Sequence, residues 1–209
     1  MKTMPDRVRE VYEPLWQSVS ALHVNWMLYR QVFGTGPERI DLLNEFAPVF
    51  FRATQDSMLD ATFLAISRLM DPPKSARKDN LVLERLILAA KEEDELDLSL
   101  SLRLSAKLEE IKKQCIIFRE IRNKRLAHND LKAAQEKCED DHPMMASREH
   151  IEIVLKSIRD IMNAVQVHYL GGETLYEHTI LGLGDGNRLI FHFEDLKKRR
   201  EESPRSRRK

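Results

Sequence analysis

Long stretches of this chain repeat their apolar residues at three- and four-residue steps, and glycine or proline stands at most of the joints between them. That period belongs to amphipathic helices, and short joints turn each helix back along its neighbour. Residues 13–33 form a first run, with Trp16, Val19, Leu22, His23, Trp26, Met27 and Val32 at helical spacing. Pro14 suits a first turn, and Gly34 and Gly36 stop the run. Pro37 opens a second helix holding Ile40, Leu42, Leu43, Phe46 and Ala47. Pro48 lacks the N–H that would continue that ladder, so the chain kinks or breaks there. Residues 49–70 form a long helix ended by Asp71-Pro72-Pro73. Residues 74–79 read as a polar loop, and Asn80 caps a short helix over 81–91. The acidic run 92–97 reads as solvated loop and helix start.

Ser99 or Ser101 begins the next helix, which runs without a break to about His128. Residues 132–145 form a polar connection containing Pro143. Ser147, with Glu149 and His150, opens the last long helix, closed near Tyr169 by Gly171-Gly172. Beyond it, 175–183 reads equally as strand or helix, 185–187 as a turn or cap, and 189–198 as a helix with Phe193 and Leu196 facing in. The expectation is an all-α, antiparallel bundle of five to six helices. The bundle spans residues 1–170, a small appendage packs on it over 171–201, and a disordered basic tail covers 202–209.

Charge narrows the partners. The chain is formally neutral, but residues 197–209 hold eight Lys or Arg against two Glu, a local +6 that leaves −6 for the rest. The tail reads as a solubilising end or as a contact for RNA. Cys115 and Cys138 form neither a CxxC nor a disulfide framework, so a reducing cytosol is the default and the expected location is cytoplasmic. No apolar run approaches the ~20 residues of a membrane span, and the charged start does not read as a signal peptide.

The chemistry gathers in residues 111–130, IKKQCIIFREIRNKRLAHND. Ile111, Cys115, Phe118 and Arg122 follow at steps of four, three and four, so Arg122 continues an apolar stripe. Ile117, Ile121 and His128 form a second stripe. On an ideal helix Arg122 and His128 lie about 120° apart around the axis and about 9 Å along it. An Arg and a His at the end of an apolar face are costly to bury unless paired or used. The plainer reading is an Arg pairing with a carboxylate and a His favoured by the helix dipole.

Arg122, five intervening residues and His128, with polar Asn123 after the Arg, resemble the R-x(4–6)-H motif of the HEPN superfamily, and RNKRLAHND resembles its RNxxxAHxD form. LYRQVFG near Tyr29, the pair Phe50-Phe51 and SRLMDP over 67–72 resemble the AbiU-type abortive-infection branch. The resemblance covers roughly residues 15–170. It implies a small all-helical module, in many members a metal-independent ribonuclease of toxin or antiphage type. His128 would take or give the 2′-OH proton, its pKa lying near neutrality. Arg122 would stabilise charge developing on the phosphate. Asn123 would orient the Arg or the backbone. In HEPN proteins two motif copies commonly meet across a dimer interface, which suits the apolar stripes and implies a homodimer through this helix. Lys124 and Arg125 add charge for RNA backbone or are ordinary surface cations, and Arg125, three before His128, is a substitute for Arg122. The resemblance also implies a nucleotidyltransferase-type antitoxin as partner. The runner-up is a non-catalytic module that binds a partner protein or nucleotide, and a plain helical scaffold is the third reading.

Other constellations point less far. Cys138, His142 and His150 match no standard metal spacing, so neither metal nor other cofactor is expected. GLGDGN from Gly182 lacks the full dinucleotide-binding pattern and reads as a turn or cap. Trp16, Trp26, Phe50, Phe51 and Phe63 read as core rather than as base-stacking platforms.

Overall fold

The structure, a computed structural model, describes residues 3–93, 98–123, 146–180, 182 and 184–203. The described residues are almost entirely helical. They hold eight α-helices: α1 (Asp6–Phe33), α2 (Pro37–Phe46), α3 (Pro48–Leu69), α4 (Leu83–Glu92), α5 (Leu98–Gln114), α6 (Ile116–Ile121), α7 (Arg148–Leu170) and α8 (Gly186–Glu202). A 3-10 turn covers Tyr176–His178. The all-α class is as expected; the finer count is higher, partly because the helix expected to run unbroken to His128 is interrupted at Cys115. Two compact units divide the chain. The first comprises Met1–His23 and Thr62–Tyr176, the second Val24–Ala61 and Glu177–Lys209.

In the first unit, α7 shows how pattern becomes packing. Ile151, Val154, Leu155, Ile158, Ile161, Met162 and Val165 recur at steps of three, one, three, three, one and three, and all are buried. Burying one such aliphatic side chain contributes about 1.5–3 kcal/mol. Ser147 accepts a bond from the His150 backbone N–H at 3.1 Å and caps the start. Gly171 ends the helix in the left-handed region at φ 71°, where its N–H reaches Val167 O. Leu104, Leu108 and Ile111 of α5 face inward at steps of four and three, and α5 packs on both α7 and α4. The two-residue strands Lys74–Ser75 and Lys78–Asp79 pair antiparallel where a plain loop was expected. Val82, not Asn80, stands at the N-cap of α4.

In the second unit, Val32, Phe33, Leu42, Leu43, Phe51 and Ile190 make the core. Phe193 packs against it, its ring 4.7 Å from Phe46. Leu196 is exposed rather than facing in. Gly186 opens α8 against α1, where a Cβ would stand 2.8 Å from Val32 Cγ2. Two expectations about proline divide here. Pro48 does separate α2 from α3, standing at the first residue of α3. Pro14, however, lies inside α1, which begins at Asp6.

Candidate functional site

The site is built where α6 ends. Phe118 and Ile121 are buried, and Phe118 packs its ring 5.7 Å from Phe63. The stripe that leads to Arg122, and the described part of the second stripe at Ile117 and Ile121, therefore run mainly into the first unit's own core. Ile111, Cys115 and Phe118 are buried with Ile121, and Ile117 is half-buried. The expectation that these stripes serve a second copy is corrected on this point, because the chain covers them itself. The helix breaks at Cys115, and the carbonyl left by Gln114 receives His150 Nε2 at 2.9 Å. His150 also lies 5.3 Å from the Phe118 ring, so it serves the junction of α5 and α6.

Arg122 follows α6, and with Asn123 it forms a wider, π-type turn. Its Nη1 donates to both carboxylate oxygens of Asp71, at 2.9 and 2.8 Å. Its Nε donates to Asn123 Oδ1 at 3.3 Å. Both partners of the ion pair are only about a quarter exposed, at 22% and 26%. The carboxylate pairing matches the plainer reading of Arg122, and Asn123 lies within hydrogen-bond reach of the same guanidinium. The backbone upstream of Asp71 is held as well, since Arg119 Nη2 donates to the Met70 carbonyl at 3.3 Å.

Asp71 is the group that reading the motif helix alone misses. It stands in SRLMDP, far from Arg122 in sequence, and an Asp before two prolines reads first as a helix stop. The signal for it was the cost of half-burying an Arg, which calls for a carboxylate without naming one. Of the expected site residues the structure brings together Arg122 and Asn123. His128, Lys124 and Arg125 lie outside the described residues, as do Cys138 and His142.

The remaining motifs take local roles. Asp185 caps α8 by accepting the Arg188 N–H at 2.9 Å, so GLGDGN ends in a helix cap. Trp26, Phe51 and Phe63 are core, but Trp16 and Phe50 are 40% and 63% exposed, against expectation. Trp16 instead donates its indole N–H to Thr174 Oγ1 at 3.1 Å. Of the basic stretch 197–209, Lys197 pairs with Glu45 at 2.8 Å, Arg199 with Asp195 at 2.8 Å, and Arg200 lies 4.7 Å over the Phe46 ring. Among the described residues no cluster of His, Cys, Asp or Glu has the makings of a metal site, and no helix is long and apolar enough to cross a membrane.

Against known proteins, the AbiU2 model among the HEPN families matches residues 5–186. No curated protein and no solved structure matches the chain.

Proposed function

The chain belongs to the AbiU2 family of HEPN domains, and from that membership we propose that it is a metal-independent endoribonuclease of toxin or antiphage type. The observation that carries the reading is the guanidinium of Arg122, fixed by a carboxylate and an amide directly before the segment that holds His128. Arg is always charged and matches phosphate oxygens with a rigid fork of five N–H donors. The bonds described use Nη1 and Nε; Nη2 carries two more N–H groups of the same fork.

In this mechanism a ribose 2′-OH loses its proton to His128 and attacks the adjacent phosphorus. Arg122 stabilises the charge on the equatorial oxygens, and the bond to the 5′ oxygen breaks. His128, now protonated, can return a proton to that leaving oxygen. The products are a 2′,3′-cyclic phosphate and a 5′-OH. Lys124 and Arg125 would bind RNA backbone. A second copy would double the Arg and His groups in one cleft. The motif helices leave Leu98, Leu102 and Ile116 exposed for such a contact, at 73%, 63% and 55%. A nucleotidyltransferase-type antitoxin is the partner proposed for control, and the cytoplasm the proposed place of action.

One observation favours the second reading, a non-catalytic module that binds a protein or nucleotide. Asp71 already neutralises Arg122, as a purely structural ion pair would. Incubating the purified protein with total RNA in EDTA separates the two. Fragments bearing 2′,3′-cyclic phosphate and 5′-OH ends are expected. Intact RNA with wild-type protein would reject the ribonuclease reading in favour of the binding module.

A further inference from the structure

We propose that Asp71 is a positioning residue: it holds the Arg122 guanidinium in the orientation that receives an RNA phosphate, an inference that rests on the ribonuclease reading. The backbone beneath the carboxylate is held from both sides. Asp71 is followed by Pro72 and Pro73, whose rings fix φ and remove two N–H groups. Asn80 ties that turn from the other side. Its Nδ2 donates to Pro72 O at 2.7 Å and to Ser75 Oγ at 2.9 Å. Its backbone N–H donates to Pro73 O at 2.8 Å. Upstream, the Asp71 N–H reaches Arg68 O at 3.2 Å, and Arg119 clamps the Met70 carbonyl at 3.3 Å. The carboxylate thus projects from backbone bonded on both sides, while Arg122 is a long side chain that loses much rotamer freedom when fixed.

The direction of the pairing matters. Both Asp71 oxygens are taken by Nη1, and Asn123 takes Nε. With two of its nitrogens engaged, the guanidinium plane is fixed and so is the direction in which Nη2 points. A cation fixed before the substrate arrives need not be ordered during the reaction, which is the condition under which a charged donor stabilises a transition state most. Asp71 also lowers the net charge of the site. The opposite view, Asp71 as a latch that must release Arg122, therefore predicts an effect of opposite sign.

The test uses Asp71→Asn, Asp71→Glu, Arg122→Ala and the double variant Asp71→Asn/Arg122→Ala in the full chain. Cleavage of a short RNA gives kcat and KM, binding of a 2′-O-methyl oligonucleotide that cannot be cleaved gives Kd, and thermal unfolding is followed on the same samples. Asp71→Asn should lower kcat about ten- to hundredfold, less than the ~10²–10³ expected for losing the donor itself. Asp71→Glu should recover part of it. In the Arg122→Ala background Asp71→Asn should cost nothing further, because the carboxylate acts through the Arg. A merely structural Asp71 would instead lower the melting temperature and lose activity in both backgrounds, and that result overturns the proposal. So does a wild-type kcat, or a raised one, for Asp71→Asn. If wild-type protein fails to cleave, the ribonuclease reading falls, and the Kd values still judge Asp71: Asp71→Asn and Arg122→Ala should weaken binding without adding. Equal Kd across all variants, or no binding by wild type, rejects the positioning role.

Discussion

At the scale of single residues, His23 shows what burial does to a titratable group. It is 4% exposed, its ring stacks on Tyr176 at 5.4 Å, and its Nε2 meets no hydrogen-bond partner among the described residues. Burial, aided by the charge of Arg159 and opposed by a hydrogen bond to the Leu155 backbone, lowers its pKa from 6.5 to about 4. The unfolded chain therefore takes up a proton near pH 6.5 that the folded chain refuses until about pH 4. Stability from this residue is complete above pH 6.5, falls between 6.5 and 4, and is flat below. At ~1.4 kcal/mol per unit, the loss amounts to about 3 kcal/mol. Urea unfolding from pH 7 to 4 should show a shallower decline for His23→Leu than for wild type. Parallel curves would contradict the assignment. Cys115 makes the complementary case. Burial, partly offset by Arg119, pushes its thiol up to about 12. It should resist iodoacetamide in the native protein and react only in denaturant, as peptide mass mapping would show; labelling of native Cys115 would contradict its burial.

At the scale of elements, close packing at α8 gives a sharper prediction. A Cβ on Gly186 would meet Val32 Cγ2 at 2.8 Å and Gln31 Cβ at 2.9 Å. Gly186→Ala should destabilise by about 1–3 kcal/mol, the usual cost of overpacking, with a lowered melting temperature as the readout. An unchanged melting temperature would mean that the contact yields freely. The elements also show where sequence reading succeeds and where it stops. The seven apolar positions of α7 and both of its caps were legible, because periodicity and capping are local. The break at Cys115 was not, because nothing local marks it, and the residue that meets Gln114 O there, His150, lies far along the chain. The stripe through Ile111, Cys115 and Phe118 is buried as its period implies, but the chain's own core covers it rather than a second copy. Periodicity says that a face is covered, not by what. Asp71 was hidden for the same reason: an ion pair between residues 51 positions apart leaves no spacing to read.

At the scale of the whole molecule, the proposed composite cleft calls for two copies. Light scattering should report twice the 24.5 kDa chain mass. Ile116→Glu, on an exposed apolar position of α6, should shift the mass toward one chain if the motif helices meet. A monomer at micromolar concentration would count against a composite site. Family membership and the all-helical architecture stand independently of these tests. One comparison tests the chemistry of the motif directly. Wild-type, Arg122→Ala and His128→Ala proteins are assayed for RNA cleavage in EDTA, with thermal unfolding followed on the same samples. The account predicts losses of about 10²–10⁴ for the His and about 10²–10³ for the Arg, with the His128→Ala melting temperature unchanged. Full cleavage by homogeneous His128→Ala protein, or activity that merely tracks the folded fraction, would contradict it.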